Sequence, residues 1–267
     1  VKAALFATTG VLLDRHGSVD EHGPYRRGRD LPFAGALFAV GGLGLAGLPP
    51  FGTALGKAVA EHAGEAEFPW LPAVFVLVSA LTSGAVLRAA ARIFAGAGPR
   101  PRERYTGPET TGGGEEPEIR DPQRRIPVPM LAVPTVLLAA ALAVGLLPGL
   151  GVALAHAARQ FTDRTTDTAA ALHGHAVAPS APVPDVGWSA EGVLLALAST
   201  ALAVLLAMTA VWGPTLRSPA LGRAAAVCEG VGRRVIVPLR RLHSGHLGDY
   251  VAWLAVGMAV LLVVITV

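Results

Sequence analysis

Cysteine, lysine and charge are all scarce in this sequence. One cysteine, Cys228, stands in 267 residues. A lone thiol excludes an internal disulfide, a CxxC redox pair and a cysteine-ligated iron–sulfur cluster within the chain. Charged residues make up 15% of the total, against about 25% in a soluble domain. Hydrophobic residues make up 52%, and long stretches carry no charge at all. This is the composition of a membrane protein, so the length does not translate into soluble domains. No pattern for a nicotinamide, flavin, haem or cluster is present, and we expect no cofactor and no nucleic-acid partner. The net charge of +3 says less than the positions of the arginines.

The opening "VKAALFATTGVLL" has no initiator Met and no signal-peptide charge pattern with a cleavage site. Its apolar run is too short to cross ~30 Å of hydrocarbon at ~1.5 Å per residue. We read it as the latter half of a helix, and the chain as the C-terminal part of a longer membrane protein.

Five further apolar stretches follow, at Leu31–Ala60, Trp70–Ala97, Val128–Ala155, Trp188–Gly213 and Tyr250–Val267. Each is near or above the ~20 residues that a spanning helix needs. A soluble protein buries one such helix easily, but not five in succession. The loops between them alternate in basic content. The first carries Arg15, Arg26, Arg27 and Arg29, whereas the second, "EHAGEAEFP", has no Lys or Arg. The third carries Arg88, Arg92, Arg100, Arg102, Arg104, Arg120, Arg124 and Arg125, and the fourth has only Arg159 and Arg164. The fifth carries Arg217, Arg223, Arg233, Arg234, Arg240 and Arg241. Basic loops face the cytoplasm, which puts loops one, three and five inside and the C-terminus outside. The expected fold is an all-α, polytopic transmembrane bundle of about five full helices plus one truncated N-terminal helix.

Three loop segments invite a functional reading. "GPETTGGGEEPE" is Gly-rich, but no strand precedes it and no GK[ST] follows, so a flexible cytoplasmic linker is the better reading. His173 and His175 form an HxH in a Pro/Ala-rich external loop with no further ligands nearby, which leaves a metal site poorly supported. From Leu221 to Leu242, Leu221, Ala225, Cys228, Val231, Val235, Leu239 and Leu242 recur at helical spacing with arginines between them. That pattern suits an amphipathic helix on the cytoplasmic surface, interrupted near Pro238, with a solvated basic connector as the alternative.

Lysine scarcity makes the two lysines informative. Of 22 basic residues only Lys2 and Lys57 are lysine, and both lie within apolar segments. An arginine is effectively never neutral, whereas a lysine can shed its proton in a protein interior. An ionisable group at membrane depth costs at least ~2.5–3.5 kcal/mol and is usually retained for an ion path or a buried pair. The alternative for Lys57 is a flexible stem that snorkels to the outer surface. For Lys2 the depth is open. Pro49 and Pro50 precede Lys57 in "GLGLAGLPPFGTALGK" and remove two backbone donors. Such a break is tolerated in a membrane where it is buried in protein or lines a watered cavity. We expect two half-helices joined by "GLPPFG", with Gly52 giving the backbone room for water. A plain kink is the alternative. Glu61 and His62 lie a turn or more beyond Lys57. They are candidates for a proton exit, with a plain solvated helix end as the other reading.

These residues resemble a known family. "GGLGLAGLPPFGTALGK" is similar to the discontinuous helix of the proton-translocating, antiporter-like subunits of respiratory complex I and their relatives. The relatives are the Mrp-type antiporter subunits and the membrane subunits of formate-hydrogenlyase-type hydrogenases. Lys57 falls on the family's intramembrane protonatable position. "VKAALFATTGVLLDRHG" resembles the preceding helix, with Lys2 on its lysine and the family's His upstream of the chain. "LTSGAVLRAAARIF" resembles the next helix. The tail "RRLHSGHLGDYVAWLAVGMAVLLVVI" is closest to the last helix of the hydrogenase-type members. The resemblance covers most of the chain, patchily, and is absent from the two polar loops. It implies that residues 1–155 are the C-terminal half of the antiporter-like domain and that 156–187 form an external loop. Residues 188–267 are then an extension of two spans joined by the basic segment. The family's other half-channel would lie upstream.

The implied function is that of a proton half-channel subunit in a redox-driven complex of a bacterial inner membrane. Lys57 and Lys2 are its relay, and partner membrane subunits and a peripheral redox arm drive it. The chain itself then holds no redox centre and no catalytic residue. The rivals are an Mrp-type Na⁺/H⁺ antiporter subunit and a membrane anchor that conducts nothing.

Overall fold

A computed structural model describes residues 1–17, 25–65, 68–100, 125–162, 187–213, 230, 234 and 247–266. Every regular element among them is helical. In chain order these are α1 (Lys2–His16), a 3-10 turn (Arg27–Asp30), α2 (Pro32–Ala46) and α3 (Gly52–Glu65). Next come α4 (Leu71–Ala90), running into a π turn (Ala91–Ala95), then α5 (Val128–Leu146) and α6 (Pro148–Thr162). The last two are α7 (Ala190–Trp212) and α8 (Leu247–Thr266). The chain divides into two compact units, residues 1–100 with 121–212, and residues 101–120 with 213–267. The first unit holds α1 to α7. The second holds α8, a 20-residue helix whose Val251, Trp253, Leu254, Val256, Met258 and Val263 are all exposed.

Among the described residues, three helices are long and apolar enough to cross a membrane: Leu71–Ala95, Val128–Leu146 and Ala190–Trp212. Their outward faces are apolar, with Leu77, Val78 and Leu81 exposed on α4, Val133 and Val136 on α5, and Leu194, Leu205 and Met208 on α7. Their inward faces are small. On α7 the buried positions include Gly192, Ala196, Ser199, Ala203 and Ala207, and on α4 they include Ala80, Ser83 and Gly84. Small residues at helical spacing let backbones approach closely, which is how helices associate where lipid removes the hydrophobic drive. A Cβ on Gly84 would lie 3.1 Å from the Ala203 carbonyl oxygen, so α4 and α7 meet backbone to backbone there. Three threonine hydroxyls in these helices are satisfied within their own helix. Thr82, Thr135 and Thr200 donate to the carbonyls of Val78, Leu131 and Ala196 at 2.7–2.9 Å.

The described parts of the first and third loops meet at one end of this unit. Arg15 donates to Asp30 from Nε at 3.0 Å and from Nη2 at 2.8 Å, which ties the end of α1 to the start of α2. Tyr25 shares its hydroxyl proton between the Gly96 and Gly98 carbonyls at 2.9 and 2.7 Å. Arg29 donates to the Ala95 carbonyl at 2.7 Å, and the Arg92 guanidinium sits 5.3 Å from the Tyr25 ring centre. The first and third loops therefore share an end. Gly84 meets Ala203 and Gly98 meets Val211, while Pro72 shares a cleft with Glu191 at the other end. α4 and α7 thus run parallel, as they must if α5 returns between them.

The boundaries depart from expectation in one place. The stretch Val128–Ala155 is not one span. α5 stops at Leu146, Leu147 is extended (φ −100, ψ 100), and α6 starts at Pro148. A proline ring disfavours helical backbone in the residue before it, which accounts for the stop. The polar segment expected from His156 is helical as far as Thr162. The Gly-rich segment 107–118, the His173/His175 pair and nearly all of the basic stretch 221–242 lie outside the described residues.

Candidate functional site: a broken helix and its buried ion pair

Helices α2 and α3 run in one direction, from the basic end toward the opposite end, and measure ~22 and ~21 Å at 1.5 Å per residue. Each is shorter than the ~30 Å of a hydrocarbon core, and only their summed length exceeds it. Between them lies the segment Gly47–Phe51. Gly47 adopts φ 88, a left-handed conformation that glycine takes without a Cβ penalty. Its N–H donates to the Gly44 carbonyl at 3.2 Å, and the Leu48 N–H donates to Leu43 at 3.1 Å. This pair of bonds is the Schellman ending of a helix. The Pro49–Pro50 bond is cis, and Phe51 N–H closes the turn on the Leu48 carbonyl at 3.0 Å.

A helix end leaves four carbonyls without intrahelical donors. Here three of the four find protein donors. Leu43 and Gly44 accept the Schellman bonds, and Gly44 also accepts from the Thr53 hydroxyl at 2.5 Å. Ala46 accepts from the Ser199 hydroxyl of α7 at 2.9 Å, where both residues are fully buried. Protein donors therefore cover three of the four end carbonyls, and less polar backbone is open to water at the break than two prolines alone suggest. Ser199→Ala is expected to lower the thermal midpoint of the solubilised protein by an amount worth about 1 kcal/mol, and Ser199→Thr to keep most of it. Equal melting of the alanine variant and the wild type would show that the Ala46 carbonyl does not depend on this donor.

Lys57 lies in the second turn of α3. Its stem passes Gly47, whose ideal Cβ position is 3.6 Å from Lys57 Cδ, so the amine rises beside the break. Lys57 Nζ stands 3.6 Å from Glu61 Oε1, one helical turn on. The side chains are 9% and 4% exposed. Neither atom has a hydrogen-bond partner, so this is an ion pair held slightly too far apart for a direct bond. Ion pairs at i,i+4 are ordinary on exposed helices. A buried one with both ends short of hydrogen bonds is costly, and its geometry suits proton exchange.

Beyond Glu61 a cleft opens at the end away from the arginines. It is lined by Ala58, Glu61, His62 and Glu65 of α3, Pro72 of α4, Ser189, and Glu191, Gly192 and Leu195 of α7. Its interior, about 20 Å³, is enough for one water. The wall is set by close packing: a Cβ on Gly192 would meet Ala58 Cβ at 2.6 Å and Ser189 Oγ at 2.9 Å.

The expected site residues separate into two groups. Pro49, Pro50, Lys57 and Glu61 come together along one broken helix. Glu61 is 3% exposed and is the partner of Lys57, so the reading of it as a solvated helix end is corrected. His62 is exposed and lines the cleft. Gly52 does not make room for water, because Val144 of α5 fills that space, with its Cγ1 2.6 Å from where a Cβ would stand. Lys2 is exposed in the first turn of α1. Ser199, Thr53 and Glu191 were not singled out from the sequence. Glu191 had one available signal, an acidic residue at the start of an apolar run that begins on the non-basic side.

No protein-family model, curated protein or solved structure matches this chain.

Proposed function

We propose that the chain is a membrane subunit of a redox-driven proton-translocating complex of the antiporter-like kind, nearest to the hydrogenase-type members. In this reading the Lys57–Glu61 pair is its proton half-channel toward the outer face. One observation carries the reading. A buried lysine and a buried glutamate, both without hydrogen bonds, sit on the second half of a broken helix, and the glutamate lines a cleft at the non-basic end. A positive charge approaching Lys57 from a neighbouring subunit favours transfer of its proton to the Glu61 carboxylate. Withdrawal of that charge favours renewed protonation of the Lys57 amine by a second proton. The cycle needs the two protonation states to be close in energy, and burial of both groups short of hydrogen bonds works in that direction.

The arginine alternation orients the chain with its basic end in the cytoplasm and its C-terminus outside a bacterial inner membrane. α2 and α3 then form one broken span, and α4, α5, α7 and α8 complete five, with α1 as the truncated sixth. Driving force comes from redox chemistry in partner subunits and a peripheral arm.

The test is proton flux in membrane vesicles that carry the intact complex, driven by an imposed valinomycin–potassium potential. Lys57→Ala is expected to lower the flux roughly 100-fold with the protein still assembled. Undiminished flux makes the chain an anchor. Flux that requires Na⁺ moves the reading to a Na⁺/H⁺ antiporter subunit.

A further inference from the structure

Glu61 is buried, so a proton that reaches it still has to leave. Three titratable groups share its cleft: His62 and Glu65 on α3, and Glu191 on the first turn of α7. α4 contributes Pro72 and no titratable group to the lining. The cleft has room for one water, and Glu61 Oε1, inside the wall, lacks a hydrogen bond. A buried carboxyl oxygen in that condition next to a water-sized space calls for a water. Glu191 is exposed, so its carboxylate joins that space to solvent. No group of three or more His, Cys, Asp or Glu among the described residues is arranged to hold a metal ion.

We infer that Glu191 is the outer proton-release residue of the half-channel, receiving the proton of Glu61 through one water in the cleft. This rests on the half-channel reading of Lys57. The protons balance at each step. The Lys57 ammonium gives one proton to the Glu61 carboxylate, leaving a neutral amine and a carboxylic acid. The acid gives one proton to the water as the water gives one to the Glu191 carboxylate, so the water is unchanged. Glu191 then releases its proton to bulk water as hydronium and is a carboxylate again. Because Glu191 comes from α7 and Glu61 from α3, the close Gly192–Ala58 contact fixes the separation of donor and acceptor.

The experiment uses the intact complex in vesicles under an imposed potential and compares wild type, Glu191→Gln, Glu191→Asp and Lys57→Ala. Glu191→Gln is expected to slow the flux on the order of tenfold. A membrane-impermeant buffer on the cleft side should restore it, because a mobile base replaces the missing carboxylate. Glu191→Asp should stay near wild type. A purely structural role predicts slow flux that buffer does not move. Wild-type flux in Glu191→Gln, or a loss that buffer and Asp both leave unchanged, overturns the inference. If Lys57→Ala also conducts normally, the half-channel reading itself fails, and the two failures are distinguished.

Discussion

A Lys57→Met, Glu61→Leu double variant is expected to assemble like the wild-type chain and to carry no proton flux. The two single variants should behave differently from it and from each other. Glu61→Leu leaves an ammonium group that is 9% exposed, has no hydrogen bond, and has lost its only ion-pair partner among the described residues. Removing one partner of a buried pair costs about 3–5 kcal/mol. That variant should lose most of its assembled protein. Lys57→Met leaves Glu61, whose carboxyl already lines a cleft with room for a water. Hydration there offsets part of the loss, so about 1–3 kcal/mol is expected and assembly should survive. In the double variant no charge remains at depth. Replacing a buried pair by apolar side chains of similar size is often neutral or stabilising. Stability should therefore return while transport does not. Membrane-inserted protein and thermal midpoint report the first quantity, and vesicle flux reports the second. A double variant that conducts at the wild-type rate would remove the pair from the proton path, whatever its stability.

The break and the lysine were legible because each violates a local rule. Two prolines cannot continue a helix, and an amine does not sit in hydrocarbon without a reason. Lys57 and Glu61 also stand at i,i+4, a spacing visible in the sequence. What the sequence withheld was depth. Whether Glu61 is a helix end in water or a buried partner depends on α7 coming within backbone contact at Gly192 and Ala58. That contact is made across more than a hundred residues and leaves no local signature. The role of Gly52 failed for the same reason: the space beside a glycine belongs to whichever helix arrives there, and here it is Val144 of α5. Leu147-Pro148 shows the opposite error. The rule for the residue before proline was readable, but the run through it is as apolar as a span, and hydropathy alone does not register a break. Lys2 looked informative because lysine is rare, yet rarity says nothing about which face of α1 it occupies.

Gly145→Ala is expected to be the most damaging single-methyl change near the site. Gly145 lies in the last turn of α5, against the backbone of the break. An alanine Cβ there would run into the Pro50 carbonyl oxygen, and would stand 2.7 Å from Pro50 C and 2.8 Å from Phe51 C. These are backbone atoms in a turn closed by the Phe51–Leu48 hydrogen bond and preceded by the Schellman ending of α2. They cannot swing aside as a flexible side chain would. α5 must then move off, and the bond from Trp188 Nε1 to the Gly145 carbonyl, 3.2 Å long, is strained or lost with it. Overpacking of this kind costs about 1–3 kcal/mol, and the rigid neighbours put this case near the upper end. Gly56→Ala provides the contrast. It lies one residue before Lys57 and has nothing within 4 Å of its ideal Cβ. There the same added methyl should stabilise α3 by about 0.5–1 kcal/mol, because alanine gives up less conformational freedom than glycine in a helix. The two substitutions are chemically identical, and Gly145 and Gly56 both lie near the break. Thermal midpoints that move in opposite directions would show that α5 is seated directly on the broken backbone. A Gly145→Ala protein that melts with the wild type would mean that α5 does not press on the break at all.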